Sequence, residues 1–444
     1  KITPSDITDL HELGNNDFWN NNFFYLVAKN QIKKNINFKK VAINNNILNE
    51  KFLLNKYTPQ STLIIKLIDK FLRIQEKPNI VLYKSYFRKD NNLKIYFQTK
   101  TIPRFYSEFE KQIQMPKPKN RSKITLDFVT NSDYENFVKE NIFLFLPVSY
   151  LEGYKDIDHV VKKINISPKY IISAVGEGND LFSFWAANKI EKNGSKYFYS
   201  EHGGYTENCP KFDSYLKKYD FYLSWNHSSK KNVKQISPQF YFKSISKEKL
   251  IKGEKLYVIL SSPNLYNHQL HYDVKSDQTI YEYEKLRYLK NLPREIYDNL
   301  KFRMHPNNSH RWQMKERIKD DFNLDKICTI KKIQKCFLKA KIILNMDFQT
   351  SFYQAMNSGK PNIIFTTRKF TSNIEPKIIN LYKKFIEEKI IIMDQESLVN
   401  HLKRIWNDPI DWWNKDSIIN LRKEFEFLCS RKSKNFEKDI LKLF

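Results

Sequence analysis

The stretch YIISAVGEGNDLFSFWAANKIEKNGSKYFYS, residues 170–200, decides the fold. It opens with the apolar run 170–175 and closes with the strand-like run 195–200. The residues between them, 179–193, place their apolar side chains on one helical face: Leu181, Phe182, Phe184, Trp185 and Ala186. A strand, a helix and a second strand in this order predict one unit of a parallel β-sheet.

The same alternation continues on both sides of this unit. Further strands are predicted at 79–87, 141–148 and 219–225, and a second series of strands and helices follows from 255 to 393. The polar segment 226–255 is the best interdomain linker. We therefore expect an α/β protein with two facing Rossmann-like domains, 1–240 and 241–394, and a helical tail, 395–444, that packs back on them.

Composition narrows the class of protein. The chain has 444 residues, of which 41% are hydrophobic, so it is globular. No apolar run approaches the roughly 18 residues of a membrane span, and the four cysteines lack the spacing of a zinc site. A reducing, cytoplasmic setting fits best. The start at Lys1 is neither an initiator Met nor a signal peptide, so we expect a truncated N-terminus.

The formal charge of +27 is compatible with attraction to an anionic membrane surface or to phosphorylated substrates. The alternative explanation is an AT-rich genome, which is expected to make Lys abundant together with Asn and Ile, as in this chain. Because the lysines are scattered singly rather than grouped in a basic arm, no nucleic-acid partner is expected.

Two strand ends in the second half carry groups suited to phosphate. Arg303, His305 and Pro306 follow a predicted strand, where imidazole and guanidinium groups can donate to phosphate oxygens. Thr350 and Ser351 follow the strand 341–346 and open a helix, whose first N–H groups favour an anion. The alternatives are a capping His and an ordinary helix cap.

In the first half, Glu201, His202, Gly203 and Gly204 follow a strand. The paired glycines allow close approach of backbone to a ligand, while His202 and Glu201 are suited to proton transfer. A tight turn with a hydrogen-bonded His is the alternative reading.

Three further acids complete the candidate catalytic set. Glu177 and Asp180 end the strand 170–175, and Glu152 is predicted to follow the strand 141–148. Asp180 is equally suited to capping the next helix, which leaves Glu177 as the better general base. No DxD pair follows a strand end, so we expect a reaction without metal, and no cofactor. Trp406, Trp412 and Trp413 are expected in the core of the tail.

The order of these motifs resembles a family of transferases of bacterial surface-carbohydrate biosynthesis. YLEGY, EGND, FSFWAAN, EHGGY and DFYLSW are followed by FRMHP, TSFYQAMNSGKPNIIF and IWNDPIDWW. The resemblance covers roughly residues 141–420. That family is similar to glycosyltransferases of the GT-B fold, including sialyltransferases and Kdo transferases. It usually has Gln where this chain has Glu201.

The resemblance implies roles for the motifs. His305, Pro306, Thr350 and Ser351 would hold the donor nucleotide, and His202, Gly203 and Gly204 would line the acceptor side. The implied enzyme is a metal-independent glycosyltransferase, cytoplasmic or peripheral on the inner membrane face. It would move a sugar from a nucleotide-sugar, CMP-linked in preference, onto a glycan or lipid-linked acceptor such as O-antigen or capsule.

Two other functions are carried as alternatives. The first is a polyol-phosphate transferase of the teichoic-acid type that uses a CDP-polyol. The second is a basic nucleic-acid- or membrane-binding protein without catalysis.

Overall fold

The protein is described by a computed structural model. The residues described are 78–104, 106–110, 113, 116, 121–146, 148–176, 179–204, 212–239, 253–260, 283–304, 314–366, 370 and 374–444. They form two compact units, residues 78–85 with 96–197 and residues 86–95 with 198–444. A compact unit is not by itself a domain, so the domain bounds at 240 and 394 stay a prediction.

The described strands belong to two parallel β-sheets, which confirms the α/β class. The strands of the first sheet are β1 Ile80–Leu82, β2 Tyr170–Ser173, β3 Lys196–Ser200, β4 Phe221–Ser224 and β5 Val233–Gln235. Those of the second are β6 Lys255–Ile259, β7 Leu300–Arg303, β8 Ala340–Asn345, β9 Asn362–Phe365 and β10 Ile391–Ile392.

Helices connect these strands. The helices up to β7 are α1 Lys89–Gln98, α2 Asp133–Phe145, α3 Tyr154–Lys162, α4 Asp180–Asn193, α5 Phe212–Lys218 and α6 Arg294–Asp298. After β7 come α7 Met314–Phe322, α8 Ile333–Lys339, α9 Thr350–Ser358 and α10 Pro376–Glu387. The tail contains α11 Gln395–Ile405, α12 Pro409–Trp413, α13 Asp416–Cys429 and α14 Phe436–Leu441.

The first unit is built on the quoted stretch. β1 pairs in parallel with β2, with Val81 opposite Ile171. The predicted helix is α4, and its N-cap is Asn179, whose side chain accepts from the Phe182 N–H. Phe182 stacks on Tyr83 at 4.4 Å between ring centroids, so the apolar face of the helix is in the core.

The second unit contains the whole second sheet, in the order β10-β9-β8-β6-β7. In its register, Ile259 of β6 lies opposite Arg303 of β7 on one side and Asn345 of β8 on the other. Parallel strands all end at the same edge of a sheet, so the loops after β7 and β8 leave from one edge. In the same unit β3, β4 and β5 pair in parallel.

The helical tail is confirmed. Asp408 accepts from the Asp411 N–H at 3.0 Å and caps the start of α12. Trp406, Trp412 and Trp413 are all buried, in agreement with the predicted core role. Among the described residues, no helix has the length and apolar composition that crossing a bilayer requires.

The predicted strand at 141–148 is wrong, because the described part of this run begins as the end of α2. Ser132 accepts from the Glu135 N–H at 3.2 Å, and the Glu135 carboxylate accepts from the Asn131 N–H. This arrangement is similar to a capping box, with the carboxylate bonded to the residue before the N-cap, and it starts a helix that continues into the apolar residues. As a result, Glu152 follows a 3-10 turn, Val148–Tyr150, and not a strand.

The predicted linker 226–255 is also corrected in part, because it contains β5. The strand is short and polar except for the buried Val233, so its composition gave a weak signal. Tyr222 of β4 donates its backbone N–H to Asn232 and holds β5 in the sheet.

Candidate functional site

The His-Gly-Gly loop and the start of α9 meet directly within the second unit. The Thr350 hydroxyl donates to the Gly203 carbonyl at 3.0 Å, although the two residues are 147 positions apart. The loop leaves the carboxyl end of β3 and the helix starts after β8. Two motifs that the sequence analysis singled out separately are therefore in direct contact.

A second contact fixes the same junction. Gly204 has a φ of +69°, and a Cβ at this position would lie 2.5 Å from the Tyr353 ring. Tyr353 is buried, and its hydroxyl donates to the Asn226 side-chain oxygen at 3.1 Å. Burial is the main cause that raises the pKa of Tyr353 well above its usual range, so this phenol stays a neutral donor.

Glu201 is buried beneath this loop. Its Oε2 accepts from the Ser224 hydroxyl at 3.1 Å and from the Trp225 N–H at 2.6 Å. The carboxylate thus joins the carboxyl ends of β3 and β4. In this position Glu201 orders the loop that presents the next residue, His202.

His202 is exposed and packs against Tyr86, with ring centroids 5.2 Å apart. Tyr86 is 57% exposed and has a φ of +61°. For a bulky residue this backbone costs roughly 1–3 kcal/mol, and such strain clusters at functional sites. The sequence analysis missed Tyr86 because it placed this residue inside the predicted strand 79–87, whereas β1 ends at Leu82 and leaves Tyr86 beyond the carboxyl end of the strand.

The start of α9 offers the N–H groups expected of an anion site. Thr350 and Ser351 are its first two residues, and Gln349 is the N-cap without a side-chain cap bond. The first N–H groups of a helix have no partner within the helix. At the other end, Gly359 has a φ of +79° and ends the helix.

Arg303 lies at the sheet edge from which the loop before α9 also leaves, but its guanidinium is hydrogen-bonded to a neighbouring loop. It is 9% exposed, and its two terminal nitrogens donate to the carbonyl oxygens of Ile330 and Lys331. It is separated from Asn345 by one strand, which corresponds to about 10 Å at the usual spacing. His305 and Pro306 lie outside the described residues.

The remaining candidate acids belong to the first unit. Glu152 forms a two-point ion pair with Arg121, with Nε to Oε1 at 2.7 Å. Asp180 is buried at the start of α4 and accepts from the Tyr150 hydroxyl at 3.3 Å. Glu177 lies outside the described residues. Within the parts of the chain that are described, no cluster of three His, Cys, Asp or Glu side chains is arranged for a metal ion.

Comparison with solved structures gives distant similarities. The wall teichoic acid polymerase TagF matches with 11% sequence identity over 95% of this chain and 96% of that chain, at a TM-score of 0.34. A variant of TagF and a variant described with CDPG match at 0.37 and 0.36, with the same identity and coverage. At TM-scores below 0.5 no conclusion about function follows.

No curated protein matches the sequence. The family described as LIC12162 family transferase, in contrast, matches residues 1–444, the whole chain. This match confirms that the order of motifs reflects a transferase family. The chain belongs to the LIC12162 family of transferases.

Proposed function

We propose that this transferase is a metal-independent glycosyltransferase of the GT-B type. It moves a sugar from a nucleotide-sugar, CMP-linked in preference, onto a surface-glycan or lipid-linked acceptor. The observation that carries the proposal is the hydrogen bond from Thr350 to Gly203. It joins a helix start suited to phosphate with an exposed His, in a chain whose family is a transferase family.

The donor phosphate binds at the start of α9. The free N–H groups there, with the hydroxyl of Ser351, donate to phosphate oxygens and stabilise the negative charge that develops as the sugar leaves. The buried guanidinium of Arg303 orders the loop at 330–331 and adds positive charge to the same sheet edge. His305 and Pro306 follow Arg303 by two and three residues and complete the donor element.

The acceptor lies on the His202 side. His202 is exposed, whereas Glu201 and Asp180 are buried and already accept hydrogen bonds. We therefore assign deprotonation of the acceptor hydroxyl to His202, with Glu201 as a positioning residue. Glu177 keeps its place as the alternative base. The exposed ring of Tyr86 provides a face on which a sugar can stack.

The test is a transfer reaction followed by mass spectrometry with CMP-, UDP-, dTDP- and GDP-sugars and CDP-glycerol as donors. We expect release of CMP from a CMP-linked keto-sugar, unchanged by EDTA. His202→Gln should lower kcat by about 10²–10⁴-fold with a folded protein. If CDP-glycerol were the one donor turned over, the protein would be a polyol-phosphate transferase and the proposed sugar donor would be wrong. Loss of activity in EDTA would overturn the metal-free mechanism.

A further inference from the structure

Two cysteines form a close pair next to Arg303. The Sγ atoms of Cys328 and Cys336 are 3.5 Å apart. Cys328 is held to the sheet because its backbone N–H donates to the Phe302 carbonyl of β7, and Cys336 lies in the first turn of α8. A disulfide has an S–S length of about 2.05 Å, so a shift of roughly 1.5 Å would join them.

The surroundings give the two sulfurs different roles. Cys328 is partly exposed, whereas Cys336 is buried. The hydrogen bond from Cys336 is the main cause that lowers the pKa of Cys328, to about 6, and Arg303 contributes to the same shift. The pKa of Cys336 is raised, first by its bond to Cys328 and then by burial. Cys328 is thus the accessible nucleophile, and Cys336 is placed to act as the resolving cysteine.

A further titratable side chain, that of Tyr257 in β6, packs in the same cluster as the two cysteines. Burial raises its pKa to about 12, and both cysteines add to that shift. Tyr257 therefore stays neutral beside the pair. The other side chains packed around Cys336 are apolar, among them Phe337, Ile343 and Ala355. The positive charge of Arg303 is the single full charge that the described residues place against the thiolate.

We propose that Cys328 and Cys336 form a redox-active dithiol that a peroxide converts into an intramolecular disulfide. The Cys328 thiolate attacks one peroxide oxygen, the S–O bond forms, and the O–O bond breaks with release of hydroxide, which takes up a proton as water. The Cys336 sulfur then attacks the sulfenic sulfur, the S–S bond forms, and the S–O bond breaks with loss of water. Two thiols are oxidised and one peroxide is reduced to two waters.

The disulfide also bears on the donor element, a consequence that rests on the proposed function. Arg303 donates to the carbonyls of Ile330 and Lys331, and both residues lie in the segment that the two cysteines would close. Drawing the sulfurs together moves this segment and the guanidinium bound to it. We expect the oxidised protein to bind CMP more weakly than the reduced protein.

The experiment uses the whole reduced protein, treated with hydrogen peroxide and then blocked with N-ethylmaleimide. Trypsin cleaves after Lys331, Lys332 and Lys335, between the two cysteines, so the disulfide links two separate peptides. We expect this linked pair to be found, lighter by two hydrogen atoms than the reduced peptides. Alkylation of Cys328 should be half-maximal near pH 6.

Two variants separate the roles. Cys336→Ser should leave Cys328 as a sulfenic acid that dimedone traps, whereas Cys429→Ser, at a buried cysteine of α13, should behave as wild type. The proposal is overturned if no linked peptides form from the folded protein, or if they form only after unfolding. If the reduced protein fails to bind CMP, the proposed function fails while the disulfide result stands.

Discussion

Gly204 has a φ of +69°, and a Cβ there would lie 2.5 Å from the Tyr353 ring. We expect Gly204→Ala to lower the free energy of unfolding by more than the roughly 1–2 kcal/mol of left-handed backbone alone, because the methyl group also displaces the ring. Urea denaturation measures this loss.

Gly194 is the matched control for that substitution. Its φ is +65°, but nothing lies within 4 Å of the Cβ position. Gly194→Ala should therefore show the backbone cost without the clash. Equal losses in the two variants would mean that the contact with Tyr353 adds no energy.

Glu201 offers a second test at a single residue, because the resemblance described in the sequence analysis predicts Gln at this position. A Gln amide oxygen can accept from Ser224 and Trp225 as the carboxylate does. We expect Glu201→Gln to keep transfer activity within a few-fold. Glu201→Leu should lose about 1–3 kcal/mol of stability, because it leaves buried donors without an acceptor. A loss of a hundredfold or more in the Gln variant would instead identify Glu201 as the base.

At the scale of elements, the start of α9 depends on one hydroxyl. Thr350→Val removes the hydrogen bond to Gly203 while keeping the shape of the side chain. We expect it to cost about 0.5–1.5 kcal/mol in unfolding free energy and to weaken CMP binding in calorimetry. Thr350→Ser retains the hydroxyl and should bind CMP as wild type does. If the Val and Ser variants bind equally, the bond does not shape the donor site.

The tail gives a pH-dependent prediction. His401 of α11 is buried against Trp412, and its Nδ1 accepts from Arg404 at 3.0 Å. Burial first, and then Arg404, Lys389 and Lys415, lower its pKa to about 4.

Between pH 6.5 and 4 the unfolded chain therefore binds more protons at this position than the folded one, and stability falls as the pH falls. We expect the stability of wild type relative to His401→Gln to decrease over this window, measured by urea denaturation at each pH. A constant difference would contradict the buried neutral His.

Helices and strands were predicted correctly where an apolar strand run and an apolar helix face occurred next to each other in the sequence. Strands 170–175 and 195–200 are apolar, and the helix between them has an apolar face, so β2, α4 and β3 follow from the sequence. The run 141–148 is apolar without a readable period, and short runs of this kind suit a strand or a buried helix equally. The deciding signal was upstream, at the Ser132 and Glu135 cap, which lies outside the run itself.

At the scale of the whole molecule, the rule that ligand-binding loops follow the carboxyl ends of parallel strands pointed to each motif separately. It did not predict that they meet, because Gly203 follows β3 of the first sheet and Thr350 follows β8 of the second, and the hydrogen bond between them came from the structure. The rule gave no information about side-chain direction. For that reason only the structure showed that Glu201 is buried and that Arg303 donates its hydrogen bonds to the carbonyls of Ile330 and Lys331.

The charge of +27 leads to a prediction for the chain as a whole. We expect co-sedimentation with vesicles containing phosphatidylserine, because scattered lysines add up over a broad surface. Binding should weaken as the salt concentration is raised from about 50 mM to about 200 mM, because salt screens the charges. Phosphatidylcholine vesicles are the control. Equal binding to both lipids, or tighter and steeply salt-dependent binding to RNA, would contradict a membrane partner.

Trp225 makes the junction of the two motifs observable by optical methods. Its indole lies edge-on to Tyr353 at 5.5 Å, and its backbone N–H donates to Glu201. Among the tryptophans in the described ranges, Trp225 is therefore the one in contact with both the His-Gly-Gly loop and α9. A difference spectrum against Trp225→Phe isolates its near-ultraviolet dichroism. The protein thus carries an intrinsic chromophore with which ligand binding at this junction can be followed without an added label.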